Sequence, residues 1–147
     1  MMNVKYTLTL PGAKAPEYAT AGAAAADLFA VLDAPLTVPP MGRVRVPTGV
    51  AIQLPGPEYV ALVCARSGLA VKRGLTLSNG VGVIDSDYRG AIQVGLVNLS
   101  DTPCTLKPGE RVAQLMVMPV ARCAFTFAQA LDETERGEGG FGSTGRL

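Results

Sequence analysis

Prolines and glycines interrupt this chain at short intervals, and most of them stand between β-rich runs rather than inside them. Pro11-Gly12, Pro39-Pro40, Pro55-Gly56-Pro57 and Pro108-Gly109 are turn signals, because proline presets one backbone angle and glycine admits the left-handed conformation of tight turns. Between them, "VKYTLTL", "RVRV" and "VAIQL" alternate apolar and polar residues, as half-buried strands do. "YVALVCA" and "VAQLMVMPV" are continuous apolar runs that fit strands buried on both faces. Helix is scarce. One short helix is expected near "RSGLAVK", with Ser67 able to cap its first turn. "AGAAAADL" has a helical composition, but Gly22 interrupts its start and no apolar stripe follows. The punctuation predicts one all-β domain, a sandwich or barrel, in the 147 residues.

The function classes narrow by exclusion. A formal net charge of +1 gives no excess to draw the chain to nucleic acid or to an anionic membrane, so neither is expected as a partner. The sequence has no histidine, which removes the Ser/His/Asp triad, the Cys/His nucleophile and every His-ligated metal site. Catalysis must rest on carboxylates and cations. Cys64, Cys104 and Cys123 form neither a CxxC pair nor an even-numbered framework, which suits reduced thiols. No signal-peptide pattern and no span-length apolar run is present, so a soluble cytoplasmic protein is expected.

The segment "RGEGGFGSTGRL" contains five glycines and only two sizeable apolar side chains, Phe141 and Leu147. Glycine loses the most backbone freedom on ordering, and little here can be buried in return. A β-rich domain over residues 1–135 and a mobile tail over 136–147 are therefore expected. "GEGGFG" satisfies G-x-G-x-x-G and "GFGSTGRL" approaches a P-loop, but neither has the strand before it and helix after it that those motifs need. What remains is their physics: converging backbone N–H groups, the Ser143 and Thr144 hydroxyls and the Arg136 fork all suit phosphate. Phe141 could lie on a flat ring. A tail without a role has the same composition.

The central stretch "NGVGVIDSDYRGAIQVGLVN" opens on a turn signal at Asn79-Gly80. Asp85, Asp87 and Gly90 begin like a calcium loop, but Arg89 occupies a ligand position and Leu96 stands where the closing glutamate belongs. A random Asp-x-Asp pair is ordinarily a solvated turn; the sharper reading makes one carboxylate a general base. Arg66 and Ser67 in "ARSGLAVK" are a cation and a hydroxyl able to share one phosphate. Gln114 in "PGERVAQLM" interrupts an apolar strand, where its amide needs either a structural partner or a ligand.

Together, "AGAAAADLFA", "ARSGLAVK", "NGVGVIDSDYRGAI", "PGERVAQLM" and "RGEGGFGSTG" resemble the five ordered motifs of the homotrimeric dUTPase family, running from Ala21 to Gly145. The resemblance implies an all-β, jelly-roll-like (β-clip) domain with one short helix and a flexible glycine-rich C-terminal tail. It also implies a homotrimer with shared active sites that hydrolyses dUTP to dUMP and pyrophosphate with Mg2+. On this resemblance Asp85 activates the attacking water, and Arg66, Ser67, Gly68 and Gln114 hold the phosphate chain. Asn79 reads uracil and Tyr88 packs under the deoxyribose. Arg136, Gly142, Ser143 and Thr144 reach the γ end while Phe141 covers the base. No residue contacts the metal directly; Asp27 would hold one of its waters, or serve instead as an N-cap or structural partner. Ala25, Ala26, Ala65 and Ala91 depart from the family pattern without removing a catalytic group. A dCTP deaminase-like enzyme of the same fold and a dUTP-sensing binding protein are the alternatives.

Overall fold

A computed structural model describes residues 2–141. Among them are the strands β1 (Lys5–Leu8), β2 (Ala26–Phe29), β3 (Leu36–Val38), β4 (Arg43–Pro47), β5 (Val50–Gln53) and β6 (Tyr59–Cys64). Helix α1 (Ser67–Arg73) follows, then β7 (Leu75–Leu77), β8 (Gly82–Ile84), β9 (Gln93–Asn98), β10 (Cys104–Leu106) and β11 (Arg111–Pro119). All pairings between these strands are antiparallel. They form a four-stranded sheet β2-β11-β6-β8, a three-stranded sheet β4-β9-β7 and the pairs β1-β5 and β3-β10. Non-consecutive neighbours throughout give the jelly-roll-like architecture expected of the sequence.

One core joins the four sheets. Leu28, Ala61, Val63, Val112 and Leu115 of the largest sheet meet Val46, Leu75, Val94 and Leu96 of the second. Val50 and Ile52 enter from β5, and Val38 and Leu106 from the β3-β10 pair. Burial of such side chains, at roughly 1.5–3 kcal/mol each, is the main favourable term.

Several burial patterns differ from the sequence expectation. Each residue of β1 is exposed, because the strand pairs on one side only, with β5, in a two-stranded sheet. In β5, Val50, Ala51 and Ile52 are buried in succession rather than alternately. The two continuous apolar runs are not covered on both faces: β6 sends Ala61 and Val63 into the core while Val60, Leu62 and Cys64 are only half-buried, and Met118 of β11 is exposed. The part of this sheet's outer face that carries Val60, Leu62, Val83, Met116 and Met118 is therefore apolar and at most half-covered.

Helix α1 stands where it was expected, but Ser67 is its first helical residue and not its cap. Arg66 occupies the N-cap in an extended conformation, without a side-chain capping bond, because the chain leaves β6 still extended at that residue. Lys72 and Arg73 in the last turn oppose the negative end of the helix dipole. Gly74 ends the helix at φ 67°, and its N–H bonds back to Ala70 O. A Cβ at Gly74 would stand 2.8 Å from the backbone nitrogen of Ser100. Gly74→Ala is expected to lower unfolding stability by about 2–3 kcal/mol, from the left-handed conformation and this collision together, as measured by urea titration.

Candidate active site

The central motif shapes a cleft of about 250 Å³ lined by Asn79, Asp85 and Tyr88, with Leu77, Gly82 and Gly95 among its other walls. Asn79 lies just beyond β7 at the tight turn predicted for Asn79-Gly80; the Val81 N–H bonds Asn79 O at 2.9 Å. Asp85 follows β8 directly, and its carbonyl accepts the Tyr88 N–H at 3.1 Å, closing a turn. Arg89 staples that turn, donating from Nη1 to Ser86 O at 2.8 Å and to Tyr88 O at 2.9 Å. The Tyr88 hydroxyl donates to Ala91 O at 3.3 Å and passes close over Gly90, where a Cβ would lie 2.3 Å from it. Any side chain at Gly90 would evict the ring. Asp85 and Tyr88 are both exposed, Tyr88 to 46%. Packing in the core is thus not the role of this tyrosine.

A second constellation stands on the largest sheet. Asp27, on β2, is only 7% exposed and its carboxylate is held by two arginines. Arg66 Nε donates to Oδ1 at 2.9 Å and Arg111 Nη1 to Oδ2 at 3.1 Å. Arg66 Nη1 also donates to Arg111 O at 3.2 Å, so the two guanidinium groups are mutually positioned. Asp27 lies on a strand and caps no helix. Asp27, Gln114 and Cys64 are direct partners across β2, β11 and β6, and Gln114 Nε2 donates to Ala65 O at 3.4 Å. The two cations outnumber the carboxylate, and each guanidinium keeps donors beyond those used here, as anion binding requires.

The sequence pattern marks the block "PGERVAQLM" but nothing in it distinguishes Arg111. Its place depends on a register shift between Arg111 and Ala113 in the pairing with β2. Val112 and Ala113 are consecutively buried, which is the mark of a β-bulge, so Arg111 turns to the Gln114 side of the strand instead of into the core. The partner carboxylate lies 84 residues away in sequence. No local pattern joins them.

The chain does not bring these two constellations together. Ile84 pairs with Ala61, and Asp85 is one residue further on, whereas Asp27 and Gln114 share the row of Cys64. At about 3.3 Å per strand residue the rows are roughly 13 Å apart. Arg66, Ser67, Gly68 and Gln114 are absent from the lining of the cleft. Among the described tail residues, Arg136 Nε donates to Gly139 O at 2.7 Å, and Phe141 is fully exposed. Gly142, Ser143 and Thr144 lie outside the described residues.

Among the described residues no three His, Cys, Asp or Glu side chains converge as a metal site, and no helix is long and apolar enough to cross a membrane.

The dUTPase family model matches residues 12–145. A deoxyuridine 5'-triphosphate nucleotidohydrolase of Desulfitobacterium hafniense is 56% identical over 132 residues, covering 90% of this chain and 87% of its own. One from Paraburkholderia phymatum is 52% identical over 131 residues, covering 89% of this chain and 88% of its own. In structure, the dUTPase of Staphylococcus bacteriophage 80alpha with dUPNHPP superimposes with a TM-score of 0.87 at 25% identity, over 97% of this chain and 98% of that one.

Replacing Asp27 by Asn removes the charge that the two arginines share. Asp27→Asn is expected to cost about 1–2 kcal/mol of stability, since the arginines remain partly hydrated, and a chemical denaturation curve would register the loss.

Proposed function

The chain belongs to the dUTPase family, and we infer that it hydrolyses dUTP to dUMP and pyrophosphate. The observation that carries the assignment of roles is the split site: a cleft with one carboxylate at its rim, and a separate arginine pair organised by a buried carboxylate.

Asp85 is the general base. Its carboxylate takes a proton from water as the water oxygen attacks the α-phosphorus; the bond from that phosphorus to the bridging oxygen breaks, and pyrophosphate leaves. Such base assistance is worth roughly 10² to 10⁴-fold, and the remaining acceleration comes from alignment and charge stabilisation. Asn79 and the neighbouring hairpin backbone read the polar edge of uracil, and a rigid wall meets the methyl of thymine, which a missing attraction alone would not reject. Tyr88, held over Gly90, packs under the deoxyribose and leaves no room for a ribose hydroxyl. Arg66, Ser67, Gly68, Arg111 and Gln114 hold the phosphate chain.

Magnesium, when bound, neutralises the triphosphate and keeps several waters, so a full protein cage is not required. The donor set fits an ion carried by substrate: Asp27 accepts one arginine on each oxygen and has lone pairs left to accept from a metal-bound water. Its main work is on the two cations.

The functional unit is a homotrimer. Within one chain the carboxylate of Asp85 and the arginine pair are too far apart for one nucleotide phosphate, while the half-buried Val60, Leu62 and Met116 lie on an apolar sheet face with exposed Val83 and Met118. Subunit contact along such a face covers it and sets the cleft of one chain beside the cations of another. The tail over 136–147 then closes on the bound nucleotide, with Arg136, Gly142, Ser143 and Thr144 at the γ end and Phe141 on the uracil face. Phosphate contacts offset the ordering of a glycine-rich segment, and the lid loosens once pyrophosphate forms. Free thiols at Cys64, Cys104 and Cys123 suit a cytoplasmic enzyme.

Pyrophosphate release measured with dUTP, dTTP, dCTP and UTP is expected from dUTP alone; ammonia from dCTP without pyrophosphate from dUTP would reverse the assignment to a deaminase. Asp85→Ala should retain nucleotide binding while turnover falls about 10² to 10⁴-fold, a split that calorimetric titration with a non-hydrolysable analogue would expose. Removing residues 136–147 is expected to leave a folded trimer by light scattering with most activity gone. An unfolded truncation product would make the segment a structural strap instead.

A further inference from the structure

We propose that Arg73 and Glu110 form a positioning clamp for the triphosphate, fixing α1 against the β10–β11 turn so that Ser67 and Arg66 keep their setting relative to Arg111. The clamp builds on the reading that Arg66, Ser67 and Arg111 hold the phosphate chain. Arg73 and Glu110 touch no part of that site themselves. Arg73 lies at the far end of α1, about 9 Å along the helix axis from Ser67 at 1.5 Å per residue.

Helix α1 has seven residues and buries only Leu69. Helices this short have no stability of their own and take their position from their anchors. The anchors of α1 stand at its two ends. At the start, Arg66 is bound to Asp27 and to the carbonyl of Arg111. At the finish, Arg73 donates through Nη1 to the Glu110 carboxylate and through Nη2 to the carbonyl of Thr105.

Glu110 is itself immobilised. Its second carboxylate oxygen accepts the Lys107 N–H at 2.9 Å, its carbonyl accepts the Ala30 N–H at 2.8 Å, and the preceding Gly109 N–H bonds Ala30 O at 2.9 Å. The next residue in the chain is Arg111. The contacts therefore close a ring: the end of the helix to Glu110, Glu110 through the backbone to Arg111, Arg111 to Asp27, Asp27 to Arg66, and Arg66 to the start of the helix. Opening the ring at Arg73 leaves the last turn of α1 held through Gly74, whose carbonyl accepts the Leu99 N–H at 2.8 Å, and through β7, but no longer tied to the β10–β11 turn that carries Arg111, so the setting of Ser67 and Gly68 relative to Arg111 loosens. Lysine cannot substitute fully, because a single ammonium does not reproduce a planar fork that meets a carboxylate and a carbonyl together.

The test uses the full-length protein and its Arg73→Ala and Arg73→Lys variants, with KM and kcat for dUTP, the dissociation constant of dUDP, and thermal melting. Arg73→Ala is expected to raise KM for dUTP about tenfold with kcat within about twofold, and Arg73→Lys to do the same more weakly. Affinity for dUDP, which lacks the γ-phosphate and spans less of the ring, should change much less. A purely structural pair would shift the melting temperature and leave the preference for triphosphate over diphosphate unaltered, which would overturn the clamp. Should Arg73→Ala fail to fold, Arg73→Lys decides: an unchanged KM for dUTP overturns the proposal. A parent protein that releases no pyrophosphate from dUTP would refute the functional reading itself; an active parent with unaffected variants refutes the clamp alone.

Discussion

The carboxylate of Asp27 is the constraint on which the arginine-bearing end of the largest sheet depends. A buried charge is costly unless it is paired, and here a single carboxylate is shared between two guanidinium groups from distant parts of the chain. Arg66 comes from the end of β6 and Arg111 from the start of β11, and without a common anion between them two like charges at this distance would repel. The acid thus does what a bound anion would do before any nucleotide arrives. It holds the cations in place while leaving the local charge positive.

Much of this was legible from the sequence. The turn pairs, the strands they delimit and the short helix near Ser67 are local signals, carried by proline and glycine chemistry and by the scarcity of long helical stripes. The loop from Asp85 to Tyr88 was legible for the same reason: its residues are neighbours, and their hydrogen bonds span three residues or fewer. What could not be read were relations across the sheet. Arg111 finds Asp27 through strand pairing and a bulge, neither of which has a short-range signature, and the cap of α1 falls on Arg66 because of how β6 ends. The exposure of Met118 on an apolar strand was hidden for another reason, since continuous apolar residues look alike whether one chain or several cover them.

The division of the site has an energetic logic. As proposed for a base and sugar, the cleft benefits from rigid walls, and the turn stapled by Arg89 with Tyr88 pressed over Gly90 supplies them. Gripping a polyanion benefits from donors that converge from several segments. Placing the two constellations at separate ends of one sheet lets each be built from local geometry.

The bulge at Val112 has a wider implication. Side chains of a strand alternate sides, so one supernumerary residue reverses the parity of everything on its N-terminal flank. Were Val112 to alternate regularly with Ala113 instead of forming the bulge, the guanidinium of Arg111 would be aimed among Leu28, Val63 and Leu115, a destination no cation tolerates without a counterion. The location of positive charge on this sheet is accordingly a matter of backbone shape: the bulge, as much as residue identity, decides which face the cation takes in the short stretch that follows the Pro108-Gly109 turn.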